Sequence, residues 1–256
     1  MNIGFVGTGT ITEAIVTGVL ASTLPVTTIH LSPRNKDIAA RLAEKSPIVH
    51  LEADNQGVVD AAHTVFLAIR PQIAQEVITA LRFRPGQKVI SLVATLDLKT
   101  LNDWIKQDVQ LTQAIPLPFV AECQGVTAIF PPDAEVGSFF AALGTAVEAQ
   151  TKAEYDLLAA ASALMGTYFG ILETSTRWLE SKGLPYEQAK VYLAPLFASL
   201  SETAVKSQSR SFAELRSEFS TRGGLNEQAS GDFDRNGGSA ALEKALDGLL
   251  KRIRTE

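Results

Sequence analysis

Asn2-Ile3-Gly4-Phe5-Val6-Gly7-Thr8-Gly9-Thr10-Ile11-Thr12-Glu13-Ala14-Ile15-Val16 is the stretch on which the fold turns. Its first five residues read as a strand and Glu13 onward has helical spacing, so Gly7-Thr8-Gly9 is a tight strand-to-helix turn. Gly7 permits the turn. Gly9 leaves room for a diphosphate to approach the backbone N–H groups at the helix start, Thr10 and Ile11, where the helix dipole favours negative charge. The third small position falls on Thr12, larger than the usual Gly or Ala, which is expected to move helix and strand slightly apart or force repacking. A Gly-rich hexamer alone is a weak signal. The strand before it and the helix after it make this one a dinucleotide-binding turn rather than a plain connection.

Downstream, Thr27-Thr28-Ile29-His30-Leu31 reads as a second strand, ending in Ser32-Pro33-Arg34-Asn35-Lys36. An NAD-specific site would carry an acidic residue there for the adenosine ribose hydroxyls. Arg34 and Lys36 are instead placed to accept a 2′-phosphate, with Ser32 and Asn35 as hydrogen-bond partners, so the site is expected to prefer NADP. The alternative is that both cations are solvated charges opening a helix over 37–45. After a loop at Asp54-Asn55-Gln56, an apolar strand over 64–69 stops at Arg70-Pro71-Gln72, and Pro71 suits the start of a helix over 72–81. A strand over 88–92 runs into Val93-Ala94-Thr95, followed by a helix over 98–105. Such alternation implies a parallel sheet covered on both faces, with the loops at the strands' carboxyl ends lining a cofactor cleft. Further strands are expected within 111–118 and 125–132 and near 145–149.

At Thr151 the pattern becomes helical. Thr151-Lys152-Ala153-Glu154 has the form of a capping box, and the helix behind it is apolar on nearly every side, from Leu157 and Leu158 to Phe169 and Leu172. It must be buried all round, and few layers of this chain are available to cover it, so a second subunit is expected against it. Pro185 starts another helix that Pro195 is expected to kink or divide, Ser211-Phe212-Ala213-Glu214 is a further capping box, and the last helix runs over 239–254. The fold class is therefore α/β, a Rossmann-type dinucleotide-binding domain over 1–150 followed by an all-α domain over 151–256 that dimerises.

The 256 residues are 46% hydrophobic and 20% charged with net charge −5, an ordinary globular composition with no basic run. This argues against nucleic acid or an anionic membrane as the main partner. The strand at Asn2 leaves no room for a leader, and no apolar run is read as long enough to span a bilayer. The lone Cys123 forms no internal disulfide and reads as a small buried hydrophobe in a reducing compartment, with the cytoplasm as default. His30, His50 and His63 have no ligand spacing, so no metal is expected; Asp232-Phe233-Asp234-Arg235-Asn236-Gly237 with Glu243 matches a calcium-loop pattern only by its spacing.

Several stretches together resemble the pyrroline-5-carboxylate reductase family over nearly the whole length. They are Gly4-Phe5-Val6-Gly7-Thr8-Gly9 with Glu13-Ala14-Ile15, the Asp54-Asn55 pair, Phe66-Leu67-Ala68-Ile69-Arg70-Pro71, Gly125-Val126-Thr127-Ala128, and Glu214-Leu215-Arg216 followed by Thr221-Arg222-Gly223-Gly224. The resemblance implies NADPH-dependent reduction of a cyclic imino acid, pyrroline-5-carboxylate to proline, by a homodimer. Asn55, Ala68, Arg70 and Pro71 in these stretches, with Ala94 at a strand's carboxyl end, are cofactor candidates, and the resemblance assigns the loop at Arg222, Gly223 and Gly224 to the substrate carboxylate through backbone N–H groups. The family's two threonines after the glycine pair are replaced by Leu225 and Asn226, and its proline by Arg222. Asn226 is then the candidate donor beside the imine nitrogen. Two other readings stand beside this one. A hydroxyacid dehydrogenase would need a lysine within 162–171, where there is none; a non-catalytic NADPH-binding regulator is suggested by the changes at 222–226.

Overall fold

The structure, a computed structural model describing residues 1–255, begins with β1 (Asn2–Val6), α1 (Thr10–Ala21), β2 (Thr28–Leu31), α2 (Lys36–Lys45), β3 (Val49–Leu51), α3 (Asn55–Ala61) and β4 (Thr64–Leu67). It continues through α4 (Pro71–Thr79), β5 (Lys88–Ser91), α5 (Leu98–Ile105), β6 (Gln110–Pro116), a short 3-10 turn (Pro118–Glu122), β7 (Gly125–Phe130), α6 (Ala134–Ala141) and β8 (Gly144–Glu148). These strands form one sheet of order β3-β2-β1-β4-β5-β6-β7-β8.

Successive strand residues face opposite sides, and both sides are packed. Phe5, Phe66 and Ile90 join Ile15, Val19 and Leu42 on one face; Val6, Val65, Leu67 and Val89 join Val58, Ile78 and Leu101 on the other. Phe5 and Phe66 stack at 4.6 Å on neighbouring strands, each completely buried and worth roughly 1.5–3 kcal/mol by removal from water.

The sheet is parallel over the strands whose alternation with helices implied it, and becomes mixed only beyond them. Strands β1 to β6 are parallel, but β7 runs antiparallel to β6, and β8 is parallel to β7. The link from β6 to β7 is only the 3-10 turn and its flanks, too short for a crossover, which needs about a dozen residues. Helix α6 supplies the crossover from β7 to β8. Its N-cap, Asp133, accepts from the N–H groups of Glu135 and Val136 and also from Lys88 Nζ. Burial works against the Lys88 charge, yet hydrogen bonds to Glu135 and Asp133 hold its pKa above the ordinary value.

The helices that follow are α7 (Lys152–Ala161), α8 (Leu164–Ser181), α9 (Tyr186–Lys206), α10 (Phe212–Glu218), α11 (Leu225–Arg235) and α12 (Gly238–Thr255). The chain divides into two compact units, Met1–Ser162 with the end of the chain from Leu250, and Ala163–Leu249. Helix α7, capped by Thr151, thus falls in the first unit rather than beyond a boundary at 150. The reason is Tyr155, fully buried and packed with Ala128 and Ala149 of the sheet region and with Phe130 at 6.0 Å. Burial raises its phenol pKa, with the Asp156 charge adding to the effect.

Three expectations about the helices change. The apolar run from 152 is two helices separated by a turn at Ser162-Ala163, and within the chain it is not buried all round: Phe169 and Trp178 are each 60% exposed. By length and mean hydropathy, 1.3, Lys152–Ser181 is a stretch that could cross a bilayer, against the reading that no run was long enough. It carries Glu173, Arg177 and Glu180 in ion pairs, however, and Tyr186 donates to Glu173, the main reason that carboxyl lies below its usual pKa. Finally, of the two outcomes expected at Pro195, a kink or a division, division is excluded, since α9 runs unbroken past it. Ser211 does form the expected reciprocal capping box with Glu214.

Candidate functional site

In an open sheet of this kind, the crevice lies where strand order reverses, here between β1 and β4. Beyond the carboxyl ends of these strands is a cleft of about 550 Å³ lined by Gly7, Thr8, Gly9, Arg34, Asn35, Lys36, Asp37, Ala68, Ile69 and Arg70. Residues far apart in sequence are brought together because β1, β2 and β4 end side by side.

Gly7 has φ +103°, and a Cβ there would lie 2.3 Å from the Ala68 carbonyl oxygen, so the turn has room for glycine alone. A Cβ at Gly9, by contrast, would meet no atom within 4 Å. Gly9 is the N-cap of α1 and carries no side chain to satisfy the first N–H groups of that helix. Open space, unclaimed donors and the positive end of a helix form a phosphate cradle.

The turn is braced from behind. Gly7 N–H donates to Ser32 Oγ at 2.9 Å, Thr8 Oγ1 donates to the Ser32 carbonyl at 2.7 Å, and Thr12 Oγ1 donates to the Gly7 carbonyl at 2.7 Å. Thr12 is therefore accommodated by a hydrogen bond inside the turn. Ser32 is completely buried, which corrects its assignment as a phosphate partner: its hydroxyl is committed to the Gly7 peptide. Losing that acceptor would leave a buried N–H unsatisfied, at a cost of about 1–3 kcal/mol.

Arg34 and Lys36 are exposed on the cleft, and Asn35 caps α2 by accepting from Ile38 N–H at 3.3 Å. Thr10 and Ile11 form the first turn of α1 beside the cleft lining. Pro71 opens α4 next to Arg70, Asn55 is the first residue of α3, and Ala94 follows β5; none of the three lines the cleft. Thr8, Asp37 and Ile69 do line it and were not singled out from the sequence. For Thr8 and Ile69 the available signal was adjacency to Gly7, Gly9 and Ala68.

The turn at 221–226 belongs to the second unit, and Gly223, Gly224 and Asn226 already have hydrogen-bond partners within the chain there. Gly223, at φ +74°, donates its N–H to Glu227 Oε2 at 2.6 Å, and Gly224 N–H donates to the Thr221 carbonyl at 2.7 Å. Both donors read as carboxylate anchors are thus engaged within the turn. Asn226 Nδ2 donates to the Phe219 carbonyl at 2.7 Å, tying the start of α11 to the end of α10, so its amide is committed to backbone rather than free for an imine. Arg222 is exposed. The stretch Asp232–Arg235 is helical, and the Asp232 and Asp234 carboxylates are joined to Arg235 and Arg216, so it does not form a calcium loop.

Two family descriptions match the chain: "NADP oxidoreductase coenzyme F420-dependent" over residues 2–95 and "Pyrroline-5-carboxylate reductase dimerisation" over 140–256. The pyrroline-5-carboxylate reductase of Pseudomonas aeruginosa is 26% identical, covering 98% of this chain and 94% of the relative. The structure of a pyrroline-5-carboxylate reductase from Coxiella burnetii matches with TM-score 0.87 at 24% identity, covering 99% of this chain and 97% of that one. A Plasmodium falciparum pyrroline carboxylate reductase with NADP bound matches with TM-score 0.83 at 16% identity, over 100% and 97% of the two chains.

Proposed function

The chain belongs to the pyrroline-5-carboxylate reductase family, and from that premise we propose that it reduces 1-pyrroline-5-carboxylate to proline with NADPH. The observation that carries the reading is the cleft at the β1–β4 reversal, open at Gly9 and fringed by Arg34 and Lys36. A reduced nicotinamide bound there supplies hydride to the imine carbon. The N–H groups at the start of α1 hold the diphosphate, and Gly7 and Ala68 set how closely the dinucleotide lies to the ends of β1 and β4. Arg34, with Lys36 and Asn35, takes the 2′-phosphate and favours NADPH over NADH. The imine nitrogen gains its proton as hydride reaches carbon, and no activated nucleophile is required. Arg222 attracts the anionic substrate toward the 221–224 turn. NADPH oxidation by the purified protein, run with pyrroline-5-carboxylate and with NADH in parallel, tests this. Turnover is expected; tight NADPH binding without turnover of any imine would favour the regulatory reading.

The same proposal includes a homodimer formed through the helical unit. Tyr192 is 68% exposed on α9, beside Trp178 on α8, in an apolar groove also lined by Leu179, Leu184, Leu193 and Phe233. An apolar surface of this extent marks an association site, and an isologous contact between identical chains would cover it. Light scattering is expected to give twice the chain mass; a stable monomer would refute the assignment. With its single half-buried Cys123, the enzyme suits the reducing cytoplasm.

A further inference from the structure

We infer that Asp37 holds down the chain's preference for NADPH over NADH. Its carboxylate stands at the end of the cleft where the 2′-phosphate binds, repels that phosphate, and offers an acceptor to the 2′-hydroxyl that NADH carries in its place. This inference rests on the dinucleotide reading of the cleft, with Arg34 and Lys36 marking its 2′-phosphate end, and not on which imine is reduced.

Four charged residues line the cleft, Arg34, Lys36, Asp37 and Arg70, and all are exposed. Asp37 is the one acid in that lining. Lys36 and Asp37 are the first two residues of α2 and Asn35 is its N-cap, so the carboxylate is carried on a capped helical turn directly beside the two cations. The Asn35 side-chain oxygen is committed to the Ile38 N–H at 3.3 Å. Among the described residues, the Asp37 carboxylate has neither a hydrogen-bond nor an ion-pair partner. Acids on neighbouring elements are engaged: Glu13 of α1 with Arg41 at 2.9 Å, Glu52 beyond β3 with His30 at 2.7 Å, and Asp54 with the Gly57 N–H at 2.8 Å. Asp37 is left to meet a ligand.

An acid in the first turn of a helix also offsets the helix dipole. That role acts through the fold and affects both cofactors alike. A charge on the cleft does not. Beside a 2′-phosphate it cancels part of the attraction from Arg34 and Lys36, whereas a ribose hydroxyl in the same position can donate to it. One side chain thus moves the two affinities in opposite directions.

The test titrates nicotinamide fluorescence to give dissociation constants for NADPH and NADH with the wild-type protein, D37N and D37E. D37N is expected to bind NADPH about fivefold more tightly and NADH no more tightly than wild type, the size of an exposed charge interaction. Its gain for NADPH is expected to shrink in about 0.5 M salt, where such charges are screened. D37E, which keeps the charge, should hold the ratio of the two constants within about twofold of wild type. A D37N ratio within about twofold of wild type would overturn the inference, and so would a parallel change in both constants, the mark of a purely structural role. Binding is read without turnover, which separates this inference from the proposed reaction. If no imine is reduced but the ratio moves, the activity fails and the role of Asp37 stands; if pyrroline-5-carboxylate is reduced and the ratio stays, the role of Asp37 is lost and the activity stands.

Discussion

Gly7→Ala is expected to lower the melting temperature by roughly 10 °C and to abolish measurable NADPH binding. The added Cβ would lie 2.3 Å from the Ala68 carbonyl oxygen, a backbone atom fixed by its place at the end of β4, and φ is +103°, where an L side chain is strained. The left-handed strain and the overpacking each cost roughly 1–3 kcal/mol, and a chain of this size loses about 2–4 °C per kcal/mol. Gly9→Ala is the companion variant. Its methyl meets no protein atom within 4 Å, so the melting temperature should stay within about 2 °C of wild type while NADPH affinity falls at least about tenfold, because the methyl enters the diphosphate's path. Thermal melts with and without NADPH separate the two effects. Equal melting temperatures for the two apo variants would refute this account of the turn.

Arg34→Ala is expected to raise KM for NADPH about 10- to 100-fold and to leave KM for NADH within about twofold. A hydrogen bond to a charged group contributes about 1.5–3 kcal/mol, and only NADPH carries the 2′-phosphate that would use it. Arg34 is exposed on the cleft just past the end of β2, and no acidic residue stands between Leu31 and Lys36 to hold ribose hydroxyls instead. Steady-state kinetics with both cofactors decide it. A parallel rise for both would assign Arg34 to the diphosphate or to general attraction, not to the 2′-phosphate.

The β1–α1 turn was legible because its signature is local: two glycines placed between a strand pattern and a helix pattern. Length and alternation also exposed the strand–helix rhythm of residues 1–105. Among the elements that escaped, two show why. β3 is three residues long, too short for a period of two to register, and α6 follows two prolines in a stretch read as strand ends. The reversal at β7 depends on loop length, which boundary errors of a few residues obscure. Among the cleft residues, Ser32 shows the limit most clearly. Proximity to Arg34 in sequence suggested a shared ligand, whereas the pleat turns its hydroxyl inward to the Gly7 peptide. Around Gly223 and Gly224 the glycine pair was visible, but whether their N–H groups were free depended on Glu227, whose position as an acidic residue in a helix's first turn was itself a readable capping signal. The helices α8 and α9 illustrate a different limit: apolar periodicity reports that a face will be covered without saying by which chain.

The bracing of the Gly7 peptide has a kinetic and entropic meaning. Its N–H is held by Ser32, its carbonyl by Thr12, and the Thr8 hydroxyl is fastened to the Ser32 carbonyl, so the turn's backbone is fixed by hydrogen bonds within the protein. An arriving dinucleotide therefore finds its donors preorganised. Little conformational freedom of the turn remains to be surrendered on association, and the helix start presents the same geometry to the first molecule as to every later one.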